Sequence, residues 1–444
     1  MHQAPDIDRL RRDAEKGHPA AEYNLGVWHL TAGGELADHD AARRLFESAG
    51  SKHFAPALSA LGYMHLRGQG GPVDRSRAVE LFRRAADQGF VEARYRLAEL
   101  LATGCGISRD LEAARAGLED AAGQGHMVAT TQLAYCLANG IGGDRDGNRA
   151  ARLYVRAAMA GEPRAQCRMA AGYENGDLFP ADPERALAWY TRAGDYGNAP
   201  AACRRLKTML DAKQVSDAQR LAGSEDTPAP APTDVPATAP SEPLVLRWAP
   251  RIFLFRNLLT DEECHHLITL ARPFLRPAMV LNRRTGERIH DEARTSHNAR
   301  LINPIRDIVV DHLEERLARY CLLPRDNAEP ITVLRYGPGD EYRPHADYYD
   351  PRHPGSSTGL EMGGQRVATF LAYLNDVESG GETSFPRVGL TVTPEPGAGL
   401  LFFNCTPDGD PDRRTLHAGE PVTSGEKWLL SRWIRAGHYP VDCG

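Results

Sequence analysis

The first half of this 444-residue chain repeats itself with a period of 36 residues. One series of equivalent positions is Leu25, Leu61, Leu97, Leu133 and Met169, and a second is Ala42, Ala78, Ala114, Ala150 and Ala186. A single short repeat cannot bury its apolar face alone, so a tandem array of this kind must stack into a solenoid. This periodicity constrains the fold more strongly than any other feature of the sequence.

Each repeat is predicted to be a pair of helices. The segment AEYNLGVWHL, residues 21–30, has apolar residues at three- and four-residue spacings, which is typical of an amphipathic helix. The segment SRAVELFRRAADQG, residues 76–89, predicts the second helix, which ends at a glycine suited to a left-handed cap. Equivalent glycines close the successive units at Gly89, Gly125, Gly161 and Gly197. The first half is therefore expected to be an α-solenoid of about five helix pairs.

This pattern resembles the Sel-like repeats, which are relatives of the tetratricopeptide repeats, over about residues 17–213. The resemblance implies a solenoid that binds a protein or peptide on its concave side. The alternative is that the array is only a spacer or a dimerisation surface.

A segment rich in proline and alanine follows the repeats. It reads GSEDTPAPAPTDVPATAPSEP over residues 223–243 and cannot bury apolar surface, so we expect a semi-extended spacer. The predicted domains are accordingly a solenoid over 1–213, a linker over 214–244 and a second domain over 245–444.

Composition excludes several classes of function. The net charge is −6 and the pI is near 6.3, which gives no general affinity for nucleic acids or acidic membranes. The sequence has no apolar run of about 18 residues and no secretory signal at its polar N-terminus. The 8 cysteines are scattered without a CxxC, which indicates reduced thiols in a cytoplasmic protein.

The second domain changes from helical to strand-like patterns along its length. Thr260 and Glu263 have the spacing of a capping box and predict a helix on which His265 and His266 are surface residues. A second helix is predicted to start at residues 303–304, with His312 in its buried stripe. Short strands are predicted at 331–336, 367–374, 399–404 and 427–435. Helices followed by many short strands favour a double-stranded β-helix, or jelly roll, with flanking helices, so that the whole chain is multidomain, α plus α+β.

A possible metal site lies in the segment YGPGDEYRPHAD, residues 336–347. Residues i and i+2 of a strand point to the same side, so His345 and Asp347 can converge on one point. His417 lies further along the chain. Two histidines and one carboxylate, without a nearby cysteine, are the ligand set of non-heme Fe(II) oxygenases. A chain with 16 histidines can contain one His-x-Asp by chance, so the pair alone is weak evidence.

The segments around these residues resemble the catalytic domain of prolyl 4-hydroxylases. They are YGPGDEYRPHAD, GQRVATFLAYLNDVESGGETSFP at 364–386, HAGEPVTSGEKWLLSRWIR at 417–435, and Arg294-Thr295-Ser296 upstream. The resemblance covers about residues 245–440. It implies that His345, Asp347 and His417 bind Fe(II), that 2-oxoglutarate and O₂ are cosubstrates, and that ascorbate rescues oxidised iron.

The resemblance also implies a binding site for 2-oxoglutarate. Lys427 is placed to meet its far carboxylate, and burying an unpaired lysine would otherwise be costly. Tyr373 matches a tyrosine that helps to bind the same carboxylate, and Tyr336 matches one that lines the pocket. Thr383 and Arg366 are weaker candidates. For the aromatic residues, including Tyr342, Trp428 and Trp433, ordinary core packing is the alternative.

The function implied is hydroxylation of prolyl residues in a protein or peptide that the repeats recruit. Two alternatives remain open: hydroxylation of a free amino acid or another side chain, and an inactive adaptor built on the repeats. The intact triad and Lys427 argue against the adaptor. A further hypothesis is that the linker prolines, residues 228–232, occupy the site in cis as substrate or autoinhibitor.

Overall fold

The computed structural model describes residues 6–31, 37–223, 235, 242–282 and 284–440. The chain forms two compact units. The first contains Met1–Leu153 together with Arg306–Ile308, and the second contains Tyr154–Ile305 and Val309–Cys443. The hypothesis about residues 228–232 lies outside the described residues.

The first unit is built from the predicted helix pairs. Its helices are α1 Ile7–Glu15, α2 Pro19–Thr31, α3 His39–Ser51, α4 Ala55–Arg67, α5 Arg75–Asp87, α6 Val91–Thr103, α7 Leu111–Gly123 and α8 Met127–Asn139. Helix α9, Gly147–Met159, continues into the second unit. The predicted α-solenoid is confirmed.

Small residues bring the helices of a repeat together. A Cβ on Gly26 of α2 would lie 2.6 Å from the ring of Phe46 on α3, and a Cβ on Gly62 of α4 would lie 3.0 Å from Phe82 on α5. Both phenylalanines are fully buried. The missing side chain on one helix therefore makes the space for an aromatic ring from the other.

The second unit begins with further helices, of which the first two belong to the last Sel-like repeat. These are α10 Pro163–Asn175, α11 Pro183–Ala193, α12 Ala199–Met209 and α13 Ala212–Gly223, and the later helices are α14 Asp261–Ala271, α15 Ile308–Cys321 and α16 Ser357–Glu361. Helix α13 occupies the start of the segment predicted as linker. The compact unit also begins well before residue 245, so the three domain limits stay predictions.

Short strands make up most of the rest of the second unit. They are β1 Leu244–Arg247, β2 Ile252–Phe255, β3 Arg276–Pro277, β4 Val280–Leu281, β5 Arg288–Ile289, β6 His297–Arg300, β7 Thr332–Tyr336, β8 Tyr342–His345, β9 Arg366–Tyr373, β10 Ser379–Gly380, β11 Thr383–Phe385, β12 Leu390–Val392, β13 Gly399–Phe403, β14 His417–Gly419, β15 Val422–Ser424 and β16 Lys427–Arg435.

The strands form two main antiparallel sheets. The larger has the order β1-β2-β13-β9-β16-β7-β6-β3 and the smaller has the order β12-β11-β14-β8. Buried side chains of both sheets pack into one core, among them Leu334, Tyr373 and Phe402 of the larger sheet and Phe385 and Val392 of the smaller. The predicted jelly roll with flanking helices is confirmed.

The flanking helices begin in part where the sequence predicts. Helix α14 begins at Asp261 behind the predicted capping box, in which Thr260 Oγ1 accepts from Glu263 N and Glu263 Oε2 accepts from Thr260 N. Helix α15 begins at Ile308, later than predicted, because a turn precedes it in which Ile305 N donates to the carbonyl of Ile302. Among the described residues, none of the helices combines the length and apolar character that a membrane span requires.

Candidate active site

The three predicted metal ligands come together at one edge of the smaller sheet. His345 ends β8 and His417 begins β14, and the two residues lie opposite each other in the register of the two strands. Asp347 lies two residues beyond the end of β8, in a bend rather than on the strand. The ligand atoms of all three side chains lie within 4.8 Å of one another.

The two imidazoles present the same nitrogen to Asp347. Nε2 of His345 lies 3.9 Å from Asp347 Oδ1, and Nε2 of His417 lies 3.6 Å from Asp347 Oδ2. On the far side of each ring, Nδ1 contacts a backbone carbonyl, Arg343 O at 2.9 Å and Thr415 O at 3.0 Å. A carbonyl can only accept, so Nδ1 carries the proton and Nε2 keeps a free lone pair.

Asp347 is held from behind by a chain of two buried side chains. Thr369 Oγ1 donates to Asp347 Oδ2 at 2.7 Å, and Asn404 Nδ2 donates to Thr369 Oγ1 at 2.9 Å. An ionised carboxylate can only accept, so the single hydroxyl proton of Thr369 must point toward Asp347. The amide of Asn404 keeps the hydroxyl proton in this direction, because it donates to the oxygen of the same hydroxyl.

Burial and charge set the protonation states that a metal requires. Burial, and then the neighbouring His417, hold the pKa of His345 well below its ordinary value. Burial alone would raise the pKa of Asp347, but His417 and His345, followed by Arg366 and the hydrogen bond from Thr369, lower it overall. A neutral imidazole therefore lies beside an ionised carboxylate, as metal ligation requires.

Lys427 is the buried cation of the site. It begins β16 opposite Tyr336 of β7, and only 1% of its surface is exposed. Its Nζ lies 5.3 Å from the ring centroid of Tyr336 and 5.7 Å from that of Tyr373. Burial lowers the pKa of Lys427 to about 8, although Glu382 and Glu420 act in the opposite direction. A desolvated ammonium of this kind favours an incoming anion.

One cavity, which is open to solvent, is lined by all three residues of the triad and by Lys427. Tyr336 and Thr383 also line this cavity, whereas Tyr373 lies behind Thr383 and donates from its hydroxyl to Thr383 Oγ1 at 2.8 Å. The residues that the sequence nominated for metal and 2-oxoglutarate are thus brought together in space. Their individual roles stay predictions.

The weaker candidates divide into two groups. Tyr342 and Trp433 line the cavity, as does Arg294. Trp428 is not among the lining residues, and Arg366 forms an ion pair with Glu329 at 2.7 Å. The guanidinium of Arg366 also lies 4.0 Å from the ring centroid of Trp433, so it supports the wall of the cavity from outside.

Sequence reasoning missed Thr369 and Asn404. Both are fully buried; Thr369 interrupts the apolar strand β9, and Asn404 directly follows the apolar strand β13. A buried polar side chain needs a partner, so these two polar residues were the available signal.

The residues of the cavity fit both an Fe(II) ion and 2-oxoglutarate. Three converging donors of the two-histidine, one-carboxylate type would suit Fe(II). The buried Lys427 suits a carboxylate in the same cavity, and among the described residues none accepts a hydrogen bond from its Nζ.

Comparisons with known proteins agree with this geometry. The 2OG-Fe(II) oxygenase superfamily matches residues 331–435, and the Sel1 repeat matches residues 19–53, 55–90, 91–126, 128–162 and 163–198. Probable prolyl 4-hydroxylase 3 of Arabidopsis thaliana is 37% identical over 216 residues, which are 44% of this chain and 73% of that protein. The chain belongs to the prolyl 4-hydroxylase family.

Two further similar proteins are a second plant relative and a solved structure. Probable prolyl 4-hydroxylase 7 of Arabidopsis thaliana is 38% identical over 213 residues, and the match spans 44% of this chain and 66% of that protein. A solved collagen prolyl hydroxylase of Paramecium Bursaria Chlorella virus-1 aligns with a TM-score of 0.32 and 28% identity, over 42% of this chain and 96% of that one. Membership of the family implies Fe(II), 2-oxoglutarate and O₂.

Proposed function

We propose that this protein hydroxylates prolyl residues of a protein or peptide, with Fe(II), 2-oxoglutarate and O₂. The observation that carries the proposal is the convergence of His345, Asp347 and His417 in one cavity with the buried Lys427. The prolyl substrate is taken from the relatives, which are prolyl 4-hydroxylases by name.

The triad would hold the iron. Nε2 of each histidine and the carboxylate of Asp347 supply three ligand atoms, and the Nδ1 hydrogen bonds to backbone carbonyls keep both rings in the required tautomer. When bound, Fe(II) would activate O₂ while 2-oxoglutarate is oxidised to succinate and CO₂, and the second oxygen atom would enter a C–H bond of the substrate.

The far carboxylate of 2-oxoglutarate would bind at Lys427. The ammonium group lies between the rings of Tyr336 and Tyr373, which exclude water and strengthen its attraction for an anion. The hydroxyl of Thr383 accepts from Tyr373 and keeps its own proton for the carboxylate. With its far carboxylate bound at Lys427, the keto acid would direct its other end toward the triad in the same cavity.

Ascorbate and a cytoplasmic location complete the proposal. Ascorbate would restore iron that oxidises in turnovers without substrate, and its effect on the number of turnovers tests this. The cytoplasmic location rests on the sequence alone, and fractionation of the producing cells tests it.

Recruitment of the substrate is proposed for the repeats, because Sel1 repeats form a solenoid. A pulldown with His345→Ala should retain the client, since this variant removes a metal ligand but leaves the repeats unchanged.

Succinate release, measured with and without proline-rich peptides, tests the function. We expect peptide-stimulated succinate formation matched by a gain of one oxygen atom on a prolyl residue. Turnover that peptides never stimulate, but that a free amino acid does, would support the alternative of a small-molecule hydroxylase. Iron-loaded protein that never consumes 2-oxoglutarate would support the inactive adaptor.

A further inference from the structure

The fifth repeat, residues 163–198, contacts α14 of the oxygenase fold through the turn that follows α11; we call it the terminal repeat. Gly197 N donates to Thr269 Oγ1 at 2.8 Å, and Asn198 N donates to His265 Nδ1 at 2.8 Å. Both acceptors are side chains of α14. The prediction that His265 and His266 are surface residues is therefore wrong, since they are only 6% and 8% exposed.

A buried ion pair makes a second connection at the start of α14. Arg164 of α10 donates from Nε to Glu262 Oε1 at 2.8 Å, and the hydroxyl of Tyr154 donates to Glu262 Oε2 at 2.7 Å. The side chains of Arg164 and Glu262 are 4% and 5% exposed. An ion pair this deeply buried is tolerated only where both partners are held in place, because either charge alone would be costly.

A third connection leads from the terminal repeat toward the active site. Arg272, directly after α14, donates from Nη2 to the carbonyl of Gly197 at 2.7 Å. The same guanidinium lies 5.6 Å from the ring centroid of Trp428. Trp428 adjoins Lys427 on β16, so one arginine links the terminal repeat to the strand that carries the buried cation.

The residues at this contact distinguish the terminal repeat from the others. Where it has Tyr196-Gly197-Asn198, the preceding repeats have Ala-Gly-Glu at 160–162, Gln-Gly-His at 124–126 and Gln-Gly-Phe at 88–90. The Tyr196 hydroxyl forms a hydrogen bond with His266 Nδ1 at 2.9 Å, which none of these replacements could reproduce in the same geometry. The glycine is common to these four of the five repeats, but its neighbours differ.

We propose that the terminal repeat is a structural part of the catalytic unit, with α14 as its specific docking surface. Its role is to hold α14 in place. Through Arg272 it also holds the start of β16 in place. The terminal repeat is then attached to the oxygenase fold by a packed polar interface as well as by the Pro/Ala-rich linker. The inference does not depend on which substrate the enzyme hydroxylates.

Substitution of Gly197 by alanine in the full-length protein tests the docking. The added Cβ would lie 2.6 Å from Cα, Cβ and O of His265, which cannot move without moving α14. Gly161→Ala is the matched control, because Gly161 occupies the same repeat position, also has positive φ and has no atom within 4 Å of the added Cβ. Backbone strain is therefore present in both variants, and the clash in only one.

Hydrogen–deuterium exchange of the peptide that covers residues 261–271 is the measurement. We expect Gly197→Ala to accelerate exchange in α14 by about 10- to 100-fold, as overpacking of an interface opens it locally, and Gly161→Ala to leave it unchanged. Equal exchange in the two variants would overturn the proposal.

A cycle of Arg164→Met, Glu262→Gln and the double variant keeps the test decisive if Gly197→Ala does not fold. We expect the effects of the two single substitutions on α14 exchange to be strongly non-additive, because each leaves the other partner buried without its counter-charge. Additive effects would show that α10 and α14 are not coupled, and would overturn the docking as well.

Discussion

Replacing Thr369 by valine should weaken metal binding at the active site. Valine has nearly the shape of threonine but cannot donate the 2.7 Å hydrogen bond to Asp347 Oδ2. The substitution also removes the acceptor of the Asn404 amide, which is fully buried. Asp347 then keeps its charge but loses the contact that fixes the direction of its carboxylate.

The size of the effect follows from the kind of bond removed. A hydrogen bond to a charged group contributes about 1.5–3 kcal/mol, and 1.4 kcal/mol corresponds to a tenfold change in affinity. Part of that loss affects the metal-free protein equally. We therefore expect the metal affinity of Thr369→Val to fall about 10- to 100-fold, as is common when a group that supports a metal ligand is removed.

The assay is titration of metal-free protein with Mn(II), which accepts the same ligands as Fe(II) without being oxidised in air. The control is Thr332→Val, because Thr332 is a buried threonine of the same large sheet and its hydroxyl donates to the backbone carbonyl of Pro330 at 3.4 Å. Mn(II) affinity in Thr369→Val equal to that in Thr332→Val would refute the reasoning.

Four further expectations follow from the structure. Lys427→Met should weaken 2-oxoglutarate binding at least about 100-fold, because the carboxylate would be buried without a cation, and calorimetry measures this. In the parent protein the affinity should be flat up to about pH 7 and fall above about pH 8, since only the protonated amine attracts the anion and its pKa is about 8. Tyr373→Phe should raise the KM for 2-oxoglutarate about two- to tenfold through the loss of the Thr383 contact, with kcat largely retained. Glu263→Gln should lower the denaturant midpoint of the second unit by removing the charge that faces Arg316 at 2.6 Å, and an unchanged midpoint would contradict the buried pairing.

Features with a repeating or local signal could be predicted from the sequence. The 36-residue register placed the helix pairs, and the apolar run KWLLSRWIR gave β16 with both ends correct. The capping box placed the start of α14 because its two hydrogen bonds are made within four residues. The His-x-Asp pair and His417 could be named because metal ligands belong to few residue types.

Features that depend on distant partners could not be predicted. His265 and His266 have the sequence context of surface residues, and only contact with the terminal repeat buries them. Thr369 and Asn404 lie 35 residues apart, and no spacing rule connects either of them with Asp347. Helix α13 overlaps the start of the predicted linker and packs against α11, a contact that no local pattern reveals.

The account depends on one metal ion bound by three side chains, with a keto acid held beside it at Lys427. Titration of metal-free protein with Mn(II) and then 2-oxoglutarate, in the parent chain and in His345→Ala and Lys427→Met, tests this most directly. We predict one Mn(II) per parent chain, none in His345→Ala at the same concentrations, and 2-oxoglutarate binding that requires both Mn(II) and Lys427. Undiminished Mn(II) binding by His345→Ala, or 2-oxoglutarate binding that is indifferent to the metal, would contradict the account.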